Sequence, residues 1–351
     1  MQLYHITEDI SRASGGVRPV VKVLQSQFYN SQILTTEKDR DDLNILSFSH
    51  KGPWLYSKDL KIYLNTIDSN SIFHLHGVWM HAQYIAAKIA IAREIPFIIT
   101  PHGMFEPWLW KSGKLKKKLY LKLFTSSAFA KARYLHAITP EEKKTLQILF
   151  PKTEVICIPN AIEIEDVIDR KKPIRPYFLF LGRVHPVKGV QMLIEVFKTL
   201  KSLDFDLVIA GPESEHRNEL EALAFNDKRI KFIGEIRGLK KKELYRNAHT
   251  FVAPSYSEVV GMVNLEAAMM GTPVITTFQT GLLKEWGNNG GILINPIFNE
   301  LKTALVEASK WNDQQRKLNG NKLRNFMIQE YSWKVNKPKW EALYNSMKKK
   351  I

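Results

Sequence analysis

Cysteine is nearly absent from the chain. Cys157 is the only one among 351 residues, which excludes an intrachain disulfide and suits a reducing compartment. Because its neighbours are Val155, Ile156 and Ile158, we interpret Cys157 as a buried strand residue rather than as a catalytic thiol.

Long apolar runs are missing as well. No run approaches the roughly 20 residues that a helix needs to cross a bilayer. The first residues also lack the basic start and the long apolar core of a signal peptide. We therefore expect a cytoplasmic protein.

Acidic residues are scarce relative to basic ones. The 35 acidic residues are outnumbered by 51 lysines and arginines, for a formal net charge of +16, and this excess predicts an anionic partner surface. Much of it is clustered between residues 111 and 124, where leucines recur at helical spacing between the lysines. A basic amphipathic helix is expected there, preceded by two tryptophans that suit a lipid headgroup interface.

This segment predicts a peripheral protein on the inner face of the cytoplasmic membrane. The alternative is a helix that buries its leucines in the domain core and leaves its lysines in solvent. Nucleic acid is not expected as a partner, because the lysines alternate with leucines rather than with exposed stacking aromatics. The predicted membrane-contact residues are Trp108, Trp110, Lys114, Lys116, Lys117, Lys118 and Lys122.

Short apolar strands alternate with helical segments along the whole chain, which is typical of parallel sheets covered by helices. We predict an α/β protein with two doubly wound domains, residues 1–168 and 173–325, joined by a charged linker, and a helical tail at 326–351 that is interrupted at Pro338. The predicted strands are 3–6, 71–75, 97–100 and 134–137 in the first domain, then 177–181, 206–210, 230–233, 250–253, 273–276 and 291–294 in the second.

The most informative stretch, residues 254–276, contains Glu258 and Glu266 separated by seven residues. We interpret it as a strand end, a loop, a short helix and the next strand. Gly261 lets the backbone turn closely into the helix, so the amides of Gly261, Met262 and Val263 would face an anionic phosphate. A carboxylate that accepts hydrogen bonds from vicinal hydroxyls, beside such amides, suits a nucleoside diphosphate sugar. The alternative is an ordinary capped helix.

The glutamate pair resembles the signature of the family 4 retaining glycosyltransferases, which have the two-domain GT-B fold. The resemblance rests on Ser257-Glu258, Gly261, Leu265-Glu266-Ala267 and residues 271–274, Gly-Thr-Pro-Val. One departure is visible, because the family commonly has Gly-Phe-Gly after the first glutamate and this chain has Val-Val-Gly. The resemblance implies Rossmann-like domains that face an interdomain cleft, with the tail crossing back to the first domain.

A second candidate site element follows the first strand of the second domain. Arg183 and Lys188 lie beyond the carboxyl end of that strand, where open parallel sheets bind ligands, and both can hold phosphate oxygens. The family resemblance implies that they neutralise the leaving diphosphate. It also implies that Gly16 approaches the donor phosphates and that the backbone near Ile236 binds the nucleobase.

Histidines end several strands of the first domain. His102, in Thr-Pro-His-Gly, corresponds to a family histidine near the transferred sugar, and its position at the end of a strand favours a functional role. A metal site is an alternative for the closely spaced His74, His76 and His81, but no cysteine or paired acid accompanies them in the sequence. We expect no metal and no cofactor.

Taken together, the resemblance implies a retaining transferase that moves a sugar from a nucleoside diphosphate sugar to a saccharide acceptor. A lipid-linked acceptor in bacterial surface polysaccharide assembly is expected, on the basis of the basic charge. The expected catalytic residues are Glu258, His102, Arg183 and Lys188, and Glu266 is expected to hold the ribose. The alternative is a GT-B epimerase or hydrolase that acts on the nucleotide sugar without an acceptor.

Overall fold

The computed structural model describes residues 2–14, 16–105 and 118–348. The chain divides into two compact units, Met1–Ala161 with Asn336–Ile351, and Ile162–Val335. The charged linker that the sequence predicts between the two domains, residues 163–176, thus lies within the second unit.

The first unit is built on a seven-stranded parallel sheet in the order β3-β2-β1-β4-β5-β6-β7. Its strands are β1 Leu3–Ile6, β2 Ser31–Thr35, β3 Leu46–Ser47, β4 Ile72–His76, β5 Phe97–Thr100, β6 Tyr134–Ala137 and β7 Val155–Cys157. Its described helices are α1 Val17–Ser26, α2 Lys58–Thr66, α3 His81–Ala92, α4 Ser126–Phe129 and α5 Pro140–Leu149, with a 3-10 turn at Arg12–Ser14 and a π-helical turn at Leu121–Thr125.

The second unit has a six-stranded parallel sheet in the order β10-β9-β8-β11-β12-β13. Its strands are β8 Tyr177–Leu181, β9 Asp206–Ala210, β10 Ile230–Phe232, β11 Thr250–Ala253, β12 Val274–Thr277 and β13 Ile292–Ile294. Its helices are α6 Val190–Thr199, α7 Glu215–Ala224, α8 Gly238–Asn247, α9 Met262–Met269, α10 Phe298–Ser309 and α11 Asp313–Tyr331, with 3-10 segments at Pro186–Lys188, Phe278–Thr280 and Lys284–Asn289.

Strand β8 shows how the second sheet is covered on both faces. All five of its residues are buried. Phe178 and Phe180 pack into one apolar cluster, whereas Tyr177, Leu179 and Leu181 pack into another. Since successive side chains of a strand point to opposite faces, helices cover both sides of this sheet, as expected of a doubly wound domain.

The two faces of the first sheet carry different kinds of side chain. Phe73 and Leu75 of β4 belong to a large apolar cluster, while the alternating His74 and His76 are buried on the opposite face. His5 of β1 and His136 of β6 alternate with members of the same apolar cluster in the same way. One face of the sheet therefore carries a layer of buried imidazoles, here called the histidine layer: His5, His74, His76 and His136.

The last helix, α12 Trp333–Ser346, runs through Pro338 without interruption. The predicted break at Pro338 is therefore wrong. Because the proline lies in the second turn, it removes only the ladder hydrogen bond to the carbonyl of residue 334. Packing supports the helix beyond this point: Tyr344 is buried, its ring lies edge-on to Phe28, and its hydroxyl is 2.8 Å from His74 Nδ1.

Cys157 ends β7 and is only half-buried, not fully buried as expected. Burial still raises the pKa of its thiol above the ordinary value. A thiol with a raised pKa is a poor nucleophile, which agrees with the interpretation of Cys157 as a strand residue.

Candidate active site

The strand order of the second unit defines where a ligand would bind. β8 and β11 are neighbours at the centre, and the chain continues from β8 to one side of the sheet and from β11 to the other. Open α/β sheets bind ligands beyond the carboxyl ends of the strands at such a switch point. The segments that carry Arg183 and Lys188, after β8, and Glu258, after β11, both leave the sheet there.

Lys188 and Glu258, 70 positions apart in the sequence, form the centre of the candidate site. Lys188 Nζ lies 2.6 Å from Glu258 Oε2, and the side chains are only 18% and 10% exposed. Ser255 Oγ donates to the other carboxylate oxygen at 2.5 Å. The pair is thus held by a charge-assisted hydrogen bond in a place that water reaches poorly.

Gly189 makes this approach of two loops possible. Its φ is +68°, and a Cβ at this position would lie 2.2 Å from the carbonyl oxygen of Pro254. Next to it, the amide of Tyr256 donates to the carbonyl of Val187 at 2.8 Å. Only glycine combines this backbone conformation with so close a contact.

The loop between β11 and α9 is fixed by the segment after β12. The amide of Glu258 donates to Gln279 O at 2.7 Å, and that of Gly261 donates to Thr280 O at 3.1 Å. The amide of Met262 donates to Val260 O at 3.0 Å. Two of the three amides predicted to face phosphate, those of Gly261 and Met262, therefore already have partners within the protein.

Glu266 forms a second polar centre on α9. Its Oε2 accepts from the hydroxyl of Tyr245 at 2.8 Å and lies 2.7 Å from Lys241 Nζ. Its side chain is 37% exposed, so it stays accessible to a ligand. Neither Tyr245 nor Lys241 was predicted as a site residue, and neither belongs to a motif that we used.

Neither Arg183 nor Ile236 is joined to these polar centres by a hydrogen bond or ion pair among the described residues. Arg183 is exposed and forms no ion pair or side-chain hydrogen bond with the described residues, which leaves its guanidinium available to an anion. Ile236 lies in the loop after β10, is half-buried and packs against one of the apolar clusters.

In the first unit, Gly16 and His102 lie at the carboxyl edge of the sheet. Gly16 immediately precedes α1, and a Cβ there would meet nothing within 4 Å. His102 follows β5 in a left-handed conformation, with φ of +54°. Its Nε2 is 3.0 Å from His76 Nδ1, so the structure brings two of the singled-out histidines together.

Glu8 was missed by the sequence analysis. It follows β1 at the switch point of the first sheet, and its carboxylate accepts a hydrogen bond from Gln83 Nε2. The backbone of Gly77 lies close by, since a Cβ added to Gly77 would be 3.2 Å from Glu8 Oε2. Burial is the main cause that raises the pKa of Glu8. Two adjacent acids after the first strand, Glu8 and Asp9, were the only available signal.

The histidines do not assemble as the metal interpretation required. His81 lies apart, against Trp54 and Tyr56. The ligand atoms of His5, His74 and His76 lie within 4.8 Å of one another, but both nitrogens of His74 are already hydrogen-bonded, to Tyr344 and to Thr100. The same holds for His76, whose partners are His5 and His102.

The predicted membrane segment is described only in part. Trp108, Trp110, Lys114, Lys116 and Lys117 lie outside the described residues. Lys118 and Lys122 are exposed, together with Leu119 and Leu123, whose exposed fractions are 56% and 58%. None of the described helices is both long and apolar enough to cross a membrane.

Two doubly wound units with parallel sheets define the GT-B class of glycosyltransferases. HepE from Anabaena in complex with UDP-glucose shares this fold with a TM-score of 0.76, over 98% of this chain and all of that chain, at 14% identity. Residues 162–322 match the family described as glycosyl transferases group 1, and residues 43–166 match glycosyltransferase family 4. Together the two matches span residues 43–322, and the chain belongs to the glycosyltransferases.

Two curated relatives illustrate the range of the match. An uncharacterized glycosyltransferase of Methanocaldococcus jannaschii is 26% identical over 280 residues, 78% of this chain and 75% of that protein. The O-antigen chain mannosyltransferase RfbU of Salmonella typhimurium is 26% identical over 206 residues, 56% of each chain. Several other relatives are matched over less of their own length, down to 26% for one of them.

Proposed function

We propose that this protein transfers a sugar from a nucleoside diphosphate sugar to a saccharide acceptor, with retention of anomeric configuration. The observation that carries the proposal is the partly buried ion pair of Lys188 and Glu258 at the switch point of the second sheet. It joins a group that binds phosphate to a group that binds hydroxyls. The UDP-glucose complex of HepE and the O-antigen role of RfbU support the class of donor and acceptor.

In the proposed reaction, the acceptor hydroxyl oxygen attacks the anomeric carbon on the face that the leaving diphosphate vacates. The bond from that carbon to the diphosphate oxygen breaks, and the hydroxyl proton passes to a leaving phosphate oxygen. Arg183 and Lys188 stabilise the negative charge that develops on the diphosphate, which is electrostatic catalysis by preorganised groups. The protein's own cations supply this charge, so no metal is required.

The carboxylates orient the donor. Glu258 accepts hydrogen bonds from hydroxyls of the transferred sugar, and Glu266 accepts them from the ribose. When the diphosphate binds, Lys188 turns from Glu258 toward phosphate oxygens, which frees a carboxylate oxygen for the sugar. The adjacent Val259 and Val260 replace the residues that are usual in the family, so sugar selectivity should depend on them.

Lys188→Ala and Glu258→Gln test this assignment. Each should lower kcat/KM at least about 100-fold, the usual loss when a preorganised charged group is removed from a transition state. Lys310→Ala is the matched control, since Lys310 is exposed in the same unit. Transfer rates near wild type in either site variant would refute the roles given to the pair.

An epimerase or hydrolase would use the same donor site without an acceptor. Incubation with the nucleotide sugar alone separates these activities. We expect turnover to need a saccharide acceptor; rapid formation of an epimer or of free sugar in its absence would favour the alternative. A thermal-shift screen of nucleotide sugars identifies the donor, because a bound donor raises the unfolding temperature by mass action.

For the acceptor, we propose a lipid-linked saccharide of a bacterial surface polysaccharide, reached by a protein that associates peripherally with the inner face of the cytoplasmic membrane. Lys118, Leu119, Lys122 and Leu123 form an exposed face on which two cations flank two apolar side chains. Each cation near an anionic leaflet contributes about 1 kcal/mol, and the leucines can enter the headgroup region.

Co-sedimentation with vesicles tests this surface. Binding should require anionic lipid and should weaken both with salt and in Lys118→Glu/Lys122→Glu. Lys144→Glu/Lys152→Glu, a charge-matched change elsewhere in the first unit, should bind like wild type. If the wild-type protein ignores anionic vesicles at low salt, the membrane proposal fails while the transferase proposal stands.

A further inference from the structure

Three imidazoles form a continuous hydrogen-bonded chain in the first unit. His5 Nδ1 lies 3.0 Å from His76 Nε2, and His76 Nδ1 lies 3.0 Å from His102 Nε2. Both pairs of rings have a centroid distance of 5.2 Å. The chain leads from the histidine layer of the sheet to the turn after β5, where His102 is partly exposed.

All three rings are neutral at pH 7. Burial lowers the pKa of His5 and of His102 to about 3 and holds that of His76 well below its ordinary value. A neutral imidazole has one N–H and one lone pair, and each hydrogen bond in the chain needs one of each. Two arrangements satisfy both bonds: every ring is protonated at Nδ1, or every ring is protonated at Nε2.

The inner end of the chain distinguishes the two arrangements. His5 Nε2 is buried and has no hydrogen-bond partner among the described residues. Protonation at Nε2 throughout would leave an N–H there without an acceptor, whereas protonation at Nδ1 throughout leaves only a lone pair. Buried N–H groups without a partner are the rarer defect in proteins, so the Nδ1 arrangement is favoured.

We propose that His5 and His76 are positioning residues that hold His102 in the tautomer protonated at Nδ1, so that this atom donates a hydrogen bond to an oxygen of the bound sugar. The inference rests on the proposed function and on the family resemblance, which implies that His102 lies near the transferred sugar. A ring held in one tautomer presents a donor without reorganising during the reaction, which is the advantage of a preorganised site.

The backbone of His102 is held independently. His102 and Gly103 have φ of +54° and +74° within a turn that a 3.2 Å backbone hydrogen bond closes across residues 101–104. A residue other than glycine is unfavourable in this conformation. The buried Glu142 compensates, since its carboxylate accepts from the amide of Gly103 at 2.6 Å and from that of Ile138 at 2.8 Å. Glu142 is therefore a third positioning residue.

Nitrogen NMR of histidine-labelled full-length protein tests the tautomer directly, because protonated and unprotonated ring nitrogens differ widely in chemical shift. At pH 7.5 we expect His5, His76 and His102 to be protonated at Nδ1, with each signal assigned by its loss in a single variant. Protonation of His102 at Nε2 in the wild-type protein overturns the inference, whatever the activity of any variant.

Substitutions at His5 test the link to turnover. His5→Leu removes the first donor and should lower kcat about tenfold, the loss expected for one hydrogen bond, with little change in KM for the donor. His5→Asn places an amide nitrogen where Nδ1 stood and should restore most of the rate. His136→Leu is the matched control, since His136 is equally buried in the histidine layer but does not belong to the row of three hydrogen-bonded imidazoles. This variant should be less stable, but the tautomer of His102 should not change.

The outcomes separate this inference from the proposed function. If His102 is protonated at Nδ1 but His102→Ala transfers sugar normally, the role of His102 at the sugar fails and the tautomer assignment stands. If His5→Leu and His5→Asn lose activity equally while both remain folded, His5 does not act through donation to His76. If His5→Leu does not fold, the wild-type spectrum still decides the tautomer.

Discussion

Substituting alanine for Gly189 tests whether the close approach of two loops holds Lys188 against Glu258. The added Cβ would lie 2.2 Å from the carbonyl oxygen of Pro254, with φ at +68°. Real Cβ atoms essentially never come within 3.0 Å of such an atom. One loop must therefore move by about 1 Å, and the residues that move are those that carry the ion pair.

Two costs add up in this variant. A left-handed conformation costs a residue with a Cβ about 1–2 kcal/mol, and overpacking adds about 1–3 kcal/mol. We expect Gly189→Ala to lower the free energy of unfolding by about 2–5 kcal/mol. A shift of about 1 Å in a catalytic group can cost about 100-fold in rate, so kcat/KM should fall by about that factor.

Urea unfolding and initial transfer rates measure both effects, and two other glycines separate their causes. Gly238 has φ of +61° and nothing within 4 Å of an added Cβ, so Gly238→Ala reports the conformational cost alone. Gly287 has open space and no positive φ, so Gly287→Ala should be close to neutral. If Gly189→Ala is no less stable than Gly238→Ala and is fully active, the close contact does not hold the site together.

Three further predictions follow from other contacts. Gly261→Ala places a Cβ 2.4 Å from the buried amide of Asn264 and should raise KM for the donor about tenfold by displacing the loop; an unchanged KM would contradict this. Arg316 is buried and its guanidinium donates to three backbone carbonyls at residues 246, 248 and 249, so Arg316→Met should lower the free energy of unfolding by about 3 kcal/mol, as measured in urea. Burial lowers the pKa values of His5 and His136 from 6.5 to about 3 and about 4. The unfolded state therefore binds more protons than the folded state below pH 6.5, and the free energy of unfolding should fall as the pH is lowered from 7.5 to 5.5. Equal urea midpoints at the two pH values would contradict this.

The sequence predicted most of the strands because their apolar runs are short and clearly bounded. Six of the ten predicted strands coincide with observed strands at both ends, among them Phe97–Thr100 and Tyr177–Leu181. Strands β2 and β3 were missed, because Ser31–Thr35 begins with two polar residues and Leu46–Ser47 is too short to show a period. Fold class depended on the repeated pattern, so these omissions did not affect it.

The candidate site was predicted less completely. Motifs identified Lys188 and Glu258 separately, but their contact depends on β8 lying beside β11, which periodicity does not reveal. Glu142 was overlooked because the sequence does not distinguish an acid that accepts hydrogen bonds from two backbone amides from any other acid in a first helical turn. Thr139 followed three positions later by Glu142 is the sequence signature of a capping box. It indicated that Glu142 lies in the first turn of a helix, but not that its carboxylate accepts a hydrogen bond from Gly103.

The histidine layer also bears on how the first sheet aligns its strands. In β4, polar His74 and His76 alternate with apolar Phe73 and Leu75. If β4 slipped by one residue against β1, both imidazoles would enter the apolar core; if it slipped by two, each would meet the other's hydrogen-bond partners. Parallel strands that are buried on both faces usually carry interchangeable aliphatic residues, which specify alignment weakly. Here the hydrogen bonds of the imidazoles are satisfied in the observed register. Replacing the imidazoles with aliphatic residues should therefore allow β4 to pair with its neighbours in more than one register during folding.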